Sequence, residues 1–404
     1  DQAVGAVGTA NTYIGIFIIM FSVISSGMVA VMTQNIGAGR PGVAYQARQL
    51  GLAFNAVLGV IMSLFLSLGA GTILSGVGVA DALMQPAKTY LQIVGGFCIL
   101  NALIPICSSY LRAFGFSKEP LYASIIGNVI NFCLNAFFLF VLHKGVAGVA
   151  TATVISRIIN LVIVVLLGAV LVKAKQHPER ESNRAVMGQI IRIGLPSACE
   201  TAIYNVSMTL VIRFLNQMDA QGLNVTARSY TMQITNFSYC VGAALAQANA
   251  IMTGWHIGAK EYDACDRGTK KAAVIGVIVA VILETVFTLC SGWIMQLFSK
   301  DPQMVSLVGK LLAIDIVLEI GRVTNLVYGQ ALKTSGDAVF PVVMGACFMI
   351  LCSVGGTYLF GIRLGLLAVG AYIGMTGDEC VRAVGMYLRW KSGKWKEKGL
   401  VKSR

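Results

Sequence analysis

Charge is scarce in this chain. Only 12% of its 404 residues are Asp, Glu, Lys or Arg, whereas 56% are hydrophobic and the mean hydropathy is +0.75. Soluble domains carry about 25% charged residues, so too little polar surface is present to cover a core in water. No charge occurs from Gln2 to Gly39 or from Ser229 to Ala259. The alternation of apolar and polar residues in roughly 10-residue segments that marks a membrane β-barrel is also lacking. No C-x-x-C pair occurs among the ten cysteines, and Cys98, Cys107, Cys133, Cys290 and Cys347 sit inside apolar runs. They read as buried free thiols that behave as small hydrophobes. There is no P-loop, which removes ATP as an evident energy source, and no H-E-x-x-H or G-x-S-x-G to support an enzyme. His143, His177 and His256 lie far apart and near predicted loops, so neither a zinc site nor a catalytic pair is expected.

What is present is long apolar sequence. The charge-free stretches 49–80, 89–111 and 120–143 each exceed the roughly 20 apolar residues that cross a bilayer. The expected fold class is an all-α polytopic membrane protein. Eleven spanning helices are predicted, at about 7–33, 50–78, 88–112, 120–142, 145–172, 193–216, 228–253, 272–298, 304–332, 338–361 and 365–389. Alternate connections, counting the C-terminal tail, hold 21 of the 31 Lys and Arg residues, while the opposite set holds only Lys88, Lys144, Lys300 and Arg363. Lys and Arg collect in cytoplasmic loops, so this pattern explains the net charge of +13 without nucleic acid and puts the C-terminus in the cytoplasm. Asn224-Val225-Thr226 fits a glycosylation sequon on the other side, but in a short loop close to the membrane it reads as a chance match.

The chain says several things twice. Ile36-Gly37-Ala38 returns as Ile257-Gly258-Ala259, and Leu111-Arg112-x-x-Gly115-x-x-x-x-Pro120 returns as Leu332-Lys333-x-x-Gly336-x-x-x-x-Pro341, both at an offset of 221. Gly145 and Val149 return as Gly365 and Val369 at 220. The expected architecture is two pseudo-symmetric six-helix bundles, parallel repeats about an axis along the membrane normal. The repeat predicts a partner for helix 193–216 before residue 1, so eleven of twelve helices are expected in the chain, the first of them absent. The expected organisation is an N-terminal lobe 1–176, a cytoplasmic linker 177–192, a C-terminal lobe 193–389 and a basic tail 390–404.

These residues resemble the multidrug and toxic compound extrusion (MATE) transporters. The likeness runs through Gln34 and Gly37-Ala38-Gly39, Leu111-Arg112-Ala113-Phe114-Gly115 and Gly194-Leu195-Pro196. It continues in Asp378-Glu379-x-x-Arg382-Ala383 and Arg389-Trp390-x-Ser392-Gly393-Lys394-Trp395. It implies a V-shaped pair of six-helix bundles in the cell membrane that exchanges H⁺ or Na⁺ for amphipathic, often cationic compounds, with no cofactor and as a monomer. The alternative is a lipid or lipid-linked oligosaccharide flippase of the same broad superfamily, for which a more cationic cavity is expected.

Ionisable groups inside spans cost roughly 2.5–3.5 kcal/mol each by insertion scales, so they are functional candidates by default. Glu200 follows a proline that is expected to begin its helix, and no Lys or Arg lies between Arg192 and Arg213. The resemblance gives Glu200 the cation-coupling role, with Tyr204 and Asn205 as further oxygen donors for a hard cation such as Na⁺. Asp315 and Glu319 share one helix face and are coupling candidates as well, although Glu319 could instead pair with Arg322 at i,i+3. Glu284 stands alone in its helix and is expected to face the bundle interior. Asp378, Glu379 and Arg382 have the i,i+3 and i,i+4 spacing of a structural ion pair. Asn128, Asn131 and Asn135 lie on one helix face, either as interhelical glue or, for Asn131 and Asn135, as lining of the substrate cavity. Phe17, Phe21, Tyr230, Phe237 and Tyr239 offer an adaptable substrate surface or ordinary packing.

Overall fold

The computed structural model describes residues 2–76, 81–173, 178–219 and 222–401; the side chain of Phe17 and all of His177 lie outside the described part. No strand occurs among the described residues. The α-helices are α1 (Gln2–Gly37), α2 (Pro41–Leu68), α3 (Ala70–Gly76), α4 (Asp81–Tyr90), α5 (Ile99–Ala113), α6 (Lys118–Ala136) and α7 (Gly145–Leu171). They continue as α8 (Asn183–Met218), α9 (Leu223–Gly258), α10 (Tyr262–Leu289), α11 (Ser291–Met295), α12 (Pro302–Ser335), α13 (Val339–Phe348) and α14 (Leu367–Lys391). Wider π-helical turns extend α4, α6 and α13 at Leu91–Gly95, Phe137–Val141, Met349–Val354 and Thr357–Arg363.

Each of the eleven predicted spans falls on one of these helices or on a consecutive run of them. Six helical segments among the described residues are long and apolar enough to cross a membrane, or seven if the pair Leu83–Gly95 and Ile99–Ala113, bent by 43°, counts as one. The remaining long helices α8, α9, α12 and α14 carry the ionisable groups that lower their mean hydropathy. Three of the four, α8, α9 and α12, have 34 or more residues. α8 has 36 residues, about 54 Å at 1.5 Å per residue, against about 30 Å of hydrocarbon. Its first turns, Asn183 to Arg192, fall in the segment 177–192 that the sequence marks as a cytoplasmic linker. The helix therefore begins well before Pro196, which lies inside it instead of at its start. A proline there removes one backbone donor and kinks the helix.

The chain forms two compact units, Asp1–Ala198 and Cys199–Arg404. In the first, α1, α2 and α5 pack on one another around Leu66, Leu74, Tyr90 and Leu91, and α6 lies against α7. In the second, α12 is central and packs on α9, α10 and α14. The basic tail is partly folded onto this unit: Trp395 is buried, stacks on Trp390 at 4.1 Å and donates its indole N–H to the Trp390 carbonyl at 2.9 Å. Of the five cysteines expected to be buried, only Cys98 and Cys107 are; Cys133 on α6, Cys290 between α10 and α11 and Cys347 on α13 are exposed free thiols.

The sequence repeat is also a repeat of backbone conformation. Gly39 and Lys260, 221 apart, both adopt left-handed φ values, +70° and +61°, directly after α1 and α9. Gly115 (φ +88°) and Gly336 (φ +98°) do the same at the same offset, and Gly145 (φ +51°) and Gly365 (φ +69°) at 220. Glycine carries no Cβ penalty in this conformation; the first two pairs stop the helices before them, while Gly145 opens α7 and Gly365 stands just before α14. The Gly39 turn has a second task. Arg40 reaches Glu181 at 2.6 Å, and Gln46 donates to the Glu181 carbonyl at 2.7 Å and to Asn183 Oδ1 at 2.6 Å, tying the segment before α8 to the start of α2.

Gly194 has a packing reason beyond helix geometry: a Cβ there would stand 1.7 Å from the Val23 carbonyl oxygen, which is backbone and cannot yield. Gly194→Ala should lower the melting temperature of the detergent-purified protein by an amount equivalent to about 1–3 kcal/mol; an unchanged melt would show that α1 and α8 do not pack at this point. The Asn224 sequon is a chance match, as its side chain shows. Asn224 is buried, its Oδ1 accepts the Ala368 N–H at 3.0 Å, and its amide donates to Asp219. Burial pushes the Asp219 carboxyl up, but the donors of Asn224, Leu223 and Gly222 outweigh it and hold the group below its ordinary value. Its contribution to stability is therefore present above the unfolded-state value, about 3.9, and is lost as pH falls through the lower folded value. The melting temperature of Asp219→Asn should accordingly fall less on acidification than that of the wild type.

Candidate functional site

The second unit gathers its ionisable side chains on α8, α10, α12 and α14. A cavity of about 240 Å³ is bordered by Glu200, Thr201 and Tyr204 of α8 and Tyr239 of α9. Arg322, Asn325, Gln330 and Lys333 of α12 and Glu379 and Arg382 of α14 complete its polar wall, while Leu326 and Met349 add apolar surface.

Two arginines organise the wall. Arg382 meets Asp378 through Nε at 2.8 Å and Nη2 at 3.1 Å, and Glu379 at 2.9 Å. Ser353 also donates to Asp378 at 3.0 Å, and Asn325 to Glu379 at 3.0 Å. Arg322 hydrogen-bonds Glu319 and lies 3.8 Å from Glu379. Glu379 therefore joins two guanidinium groups, one from α12 and one from α14. This is the i,i+3 and i,i+4 geometry the spacing predicts, extended across helices into a network.

Behind Arg322 lie three buried carboxylates. Glu284, Asp315 and Glu319 are at most 2% exposed and bring one oxygen each within 4.8 Å of the others. Glu284, which looks solitary in sequence, thus joins the α12 pair from α10. The buried Ser238 hydroxyl faces Glu284, while both Glu284 oxygens, Asp315 Oδ2 and Glu319 Oε2 have no hydrogen-bond partner. Two ionised carboxylates 4.8 Å apart repel by ~3 kcal/mol at an effective dielectric of 20. Arg322 supplies one positive charge and shares it with Glu379, so the cluster calls for a proton or a bound cation. Its donors are all oxygen, the set a hard cation takes.

The other sequence candidates sit as follows. Glu200 does not lack a cationic partner: Lys333 Nζ lies 2.5 Å from its Oε2. The expectation of a bare acid failed because the partner comes from α12, far along the chain. The Leu332-Lys333 repeat motif singled out this lysine but said nothing of its target. Tyr204 borders the cavity, whereas Asn205 is exposed and does not. Asn131 donates to Ser156 at 3.3 Å and accepts from Asn135 at 3.0 Å, bonding α6 to α7 in the first unit, while Asn128 is exposed. Tyr239 borders the cavity, Tyr230 packs on Phe298, Phe21 is buried and Phe237 is exposed.

With this geometry in view, comparison with known proteins is decisive. The MatE family pattern matches residues 1–137 and 196–359. The chain belongs to the MatE family. It is 32% identical to the uncharacterized transporter YisQ of Bacillus subtilis (strain 168), over 99% of this chain and 89% of that one. It is 21% identical to the probable multidrug resistance protein NorM of Thermotoga maritima, over 99% and 87%. Among solved structures it superposes on a MATE protein in the bent conformation with a TM-score of 0.89 at 18% identity, over 98% of this chain and 89% of the other. A MOP superfamily transporter from Pyrococcus furiosus, described as having a binding pocket of reverse polarity, gives 0.85 at 18% identity, over 100% and 89%. As a MatE protein the chain is a multi-pass membrane transporter of small molecules.

Arg382→Met should strand two buried carboxylates, a change that costs about 3–5 kcal/mol, and lower the melting temperature sharply. Adding Asp378→Asn should recover part of that loss; no recovery would mean that Arg382 acts by packing and not by charge.

Proposed function

We propose that this MatE protein is a secondary active exporter that exchanges H⁺ or Na⁺ for amphipathic, often cationic compounds by alternating access of an N-terminal and a C-terminal lobe. The observation that carries the reading is the cavity itself: carboxylates, two tyrosines, leucine and methionine face one space, and behind its wall lies a cluster of carboxylates short of positive charge. Aromatic and thioether surface takes varied apolar bodies, and Glu200 takes the positive head.

Glu200, Asp315 and Glu319 are the coupling acids in this scheme. With the cavity open outward, a proton or Na⁺ enters the cluster of Glu284, Asp315 and Glu319 and shifts the hold of Arg322 on Glu319 and Glu379. Glu379 borders the cavity, so the change reaches the substrate. Cation and substrate then favour opposite orientations, and each drives the other by differential affinity. The transporter works in the cell membrane with its C-terminus in the cytoplasm, as a monomer and without a cofactor. A second reading, a flippase for an anionic lipid-linked cargo, is favoured by the three basic side chains on the cavity wall. All three are already held by carboxylates, which leaves no net attraction for an anion.

The test is ethidium efflux from cells producing the wild type or Glu200→Gln at equal membrane levels. Removing the carboxylate should lower coupled efflux by about tenfold, within the range of site–site coupling energies; undiminished efflux would take Glu200 out of the mechanism.

A further inference from the structure

The contact of Glu200 differs from the other ion pairs of the cavity wall. Arg322 and Arg382 hold their acids through planar forks, and Arg382 does so with several aligned donors. Lys333 instead meets Glu200 Oε2 with a single ammonium at 2.5 Å, without the alignment of a hydrogen bond. The two side chains are 14% and 15% exposed at the edge of the cavity. The carboxylate is seated against α13 where residue 345 is glycine: a Cβ there would lie 3.3 Å from Glu200 Cγ.

Lys333 also has an alternative place to rest. It belongs to the last turn of α12, whose C-terminus carries partial negative charge and carbonyl oxygens that lysine side chains near a helix end commonly reach. Its flexible four-carbon stem allows the ammonium to leave Glu200 without moving the helix. Of the two acids on the cavity wall, Glu200 thus has a counter-ion on a flexible stem, while Glu379, like Asp378 and Glu319, is held by planar guanidinium groups.

We propose that Lys333 is a tethered cation that occupies Glu200 while the cavity is unloaded, and that an amphipathic organic monocation binds by displacing it. This rests on the reading of Glu200 as the acid that faces substrate. Lys333 is then a specificity-determining residue. A cation is loaded only when its apolar contacts with Tyr204, Tyr239, Leu326 and Met349 outweigh breaking the pair. Small hydrated ions lack that surface and are left to the buried carboxylates of α10 and α12.

The experiment measures tetraphenylphosphonium binding to the purified full chain in detergent, with triphenylphosphine oxide as the uncharged control. Lys333→Met should tighten the phosphonium Kd by about tenfold, ~1.4 kcal/mol, and leave the control unchanged. Lys333→Arg, a stronger fork for the carboxylate, should weaken phosphonium binding. An unchanged or weaker phosphonium Kd in Lys333→Met with an unaltered melting temperature overturns the proposal, as does equal tightening of the uncharged control. If Lys333→Met does not fold, Lys333→Gln takes its place: the same tightening is expected, and its absence overturns the proposal in the same way. Glu200→Gln in the same assay separates the two ideas. If it leaves phosphonium binding intact, the substrate role of Glu200 fails; if it weakens binding while neutralising Lys333 does not tighten it, displacement alone fails.

Discussion

A carboxylate taken out of water must be met by positive charge or by a proton, because the effective desolvation penalty in a protein is several kcal/mol per ion. The unit Cys199–Arg404 accepts that condition for six carboxylates that are less than a tenth exposed: Glu284, Asp315, Glu319, Asp378, Glu379 and Asp337, the last met by Arg389 at 2.7 Å. Arg322 and Arg382 answer most of it, and Glu379 between them makes one network of two helices. The arrangement also fixes the register of α12 against α14, since sliding either helix by one residue would turn a guanidinium away from its acid. What the two arginines do not answer is the charge of Glu284 and Asp315, and the proposed exchange of protons or cations rests on that remainder.

The same condition divides the helices into two kinds. α2, α6, α7 and α10 are apolar enough to face lipid, and much of their surface is exposed hydrophobic side chain. α8, α9, α12 and α14 carry the polar groups that membrane helices tolerate only toward a bundle interior or a cavity. α12 is the extreme case: central in its unit, it presents Asp315, Glu319, Arg322, Asn325 and Lys333 along its length.

Much of this was legible in sequence because it is local. Charge-free runs gave the helices, i,i+4 spacing gave Asp315 with Glu319 and Asp378 with Arg382, and the motif at 221 residues gave the stop conformations at Gly39, Gly115 and Gly336. What stayed hidden depends on contacts between helices. Glu284 has no partner within its own helix, and only packing brings it to Asp315. Glu200 looked bare because its lysine lies at the far end of another helix. Pro196 looked like a helix start because the polar turns before it resemble a linker; tertiary contacts from Arg40 and Gln46 hold the segment in front of them and let the helix begin early.

The two units share turns but not chemistry. Residues 1–198 contain five acids, Asp1, Asp81, Glu119, Glu179 and Glu181, while 199–404 contain thirteen. Beside the Arg40–Glu181 ion pair, the first unit also meets a cation without a carboxylate: the Arg48 guanidinium lies 4.6 Å over the Tyr110 ring, which Phe114 backs at 5.1 Å, a cation–π arrangement. Its polar interior is built from neutral amides and hydroxyls such as Asn55, Asn131 and Ser156. Such groups titrate at no accessible pH, so they can bind and orient but cannot carry a proton through a cycle. A duplicated backbone with its acids concentrated in the second unit is the asymmetry on which the proposed cation exchange by that unit rests.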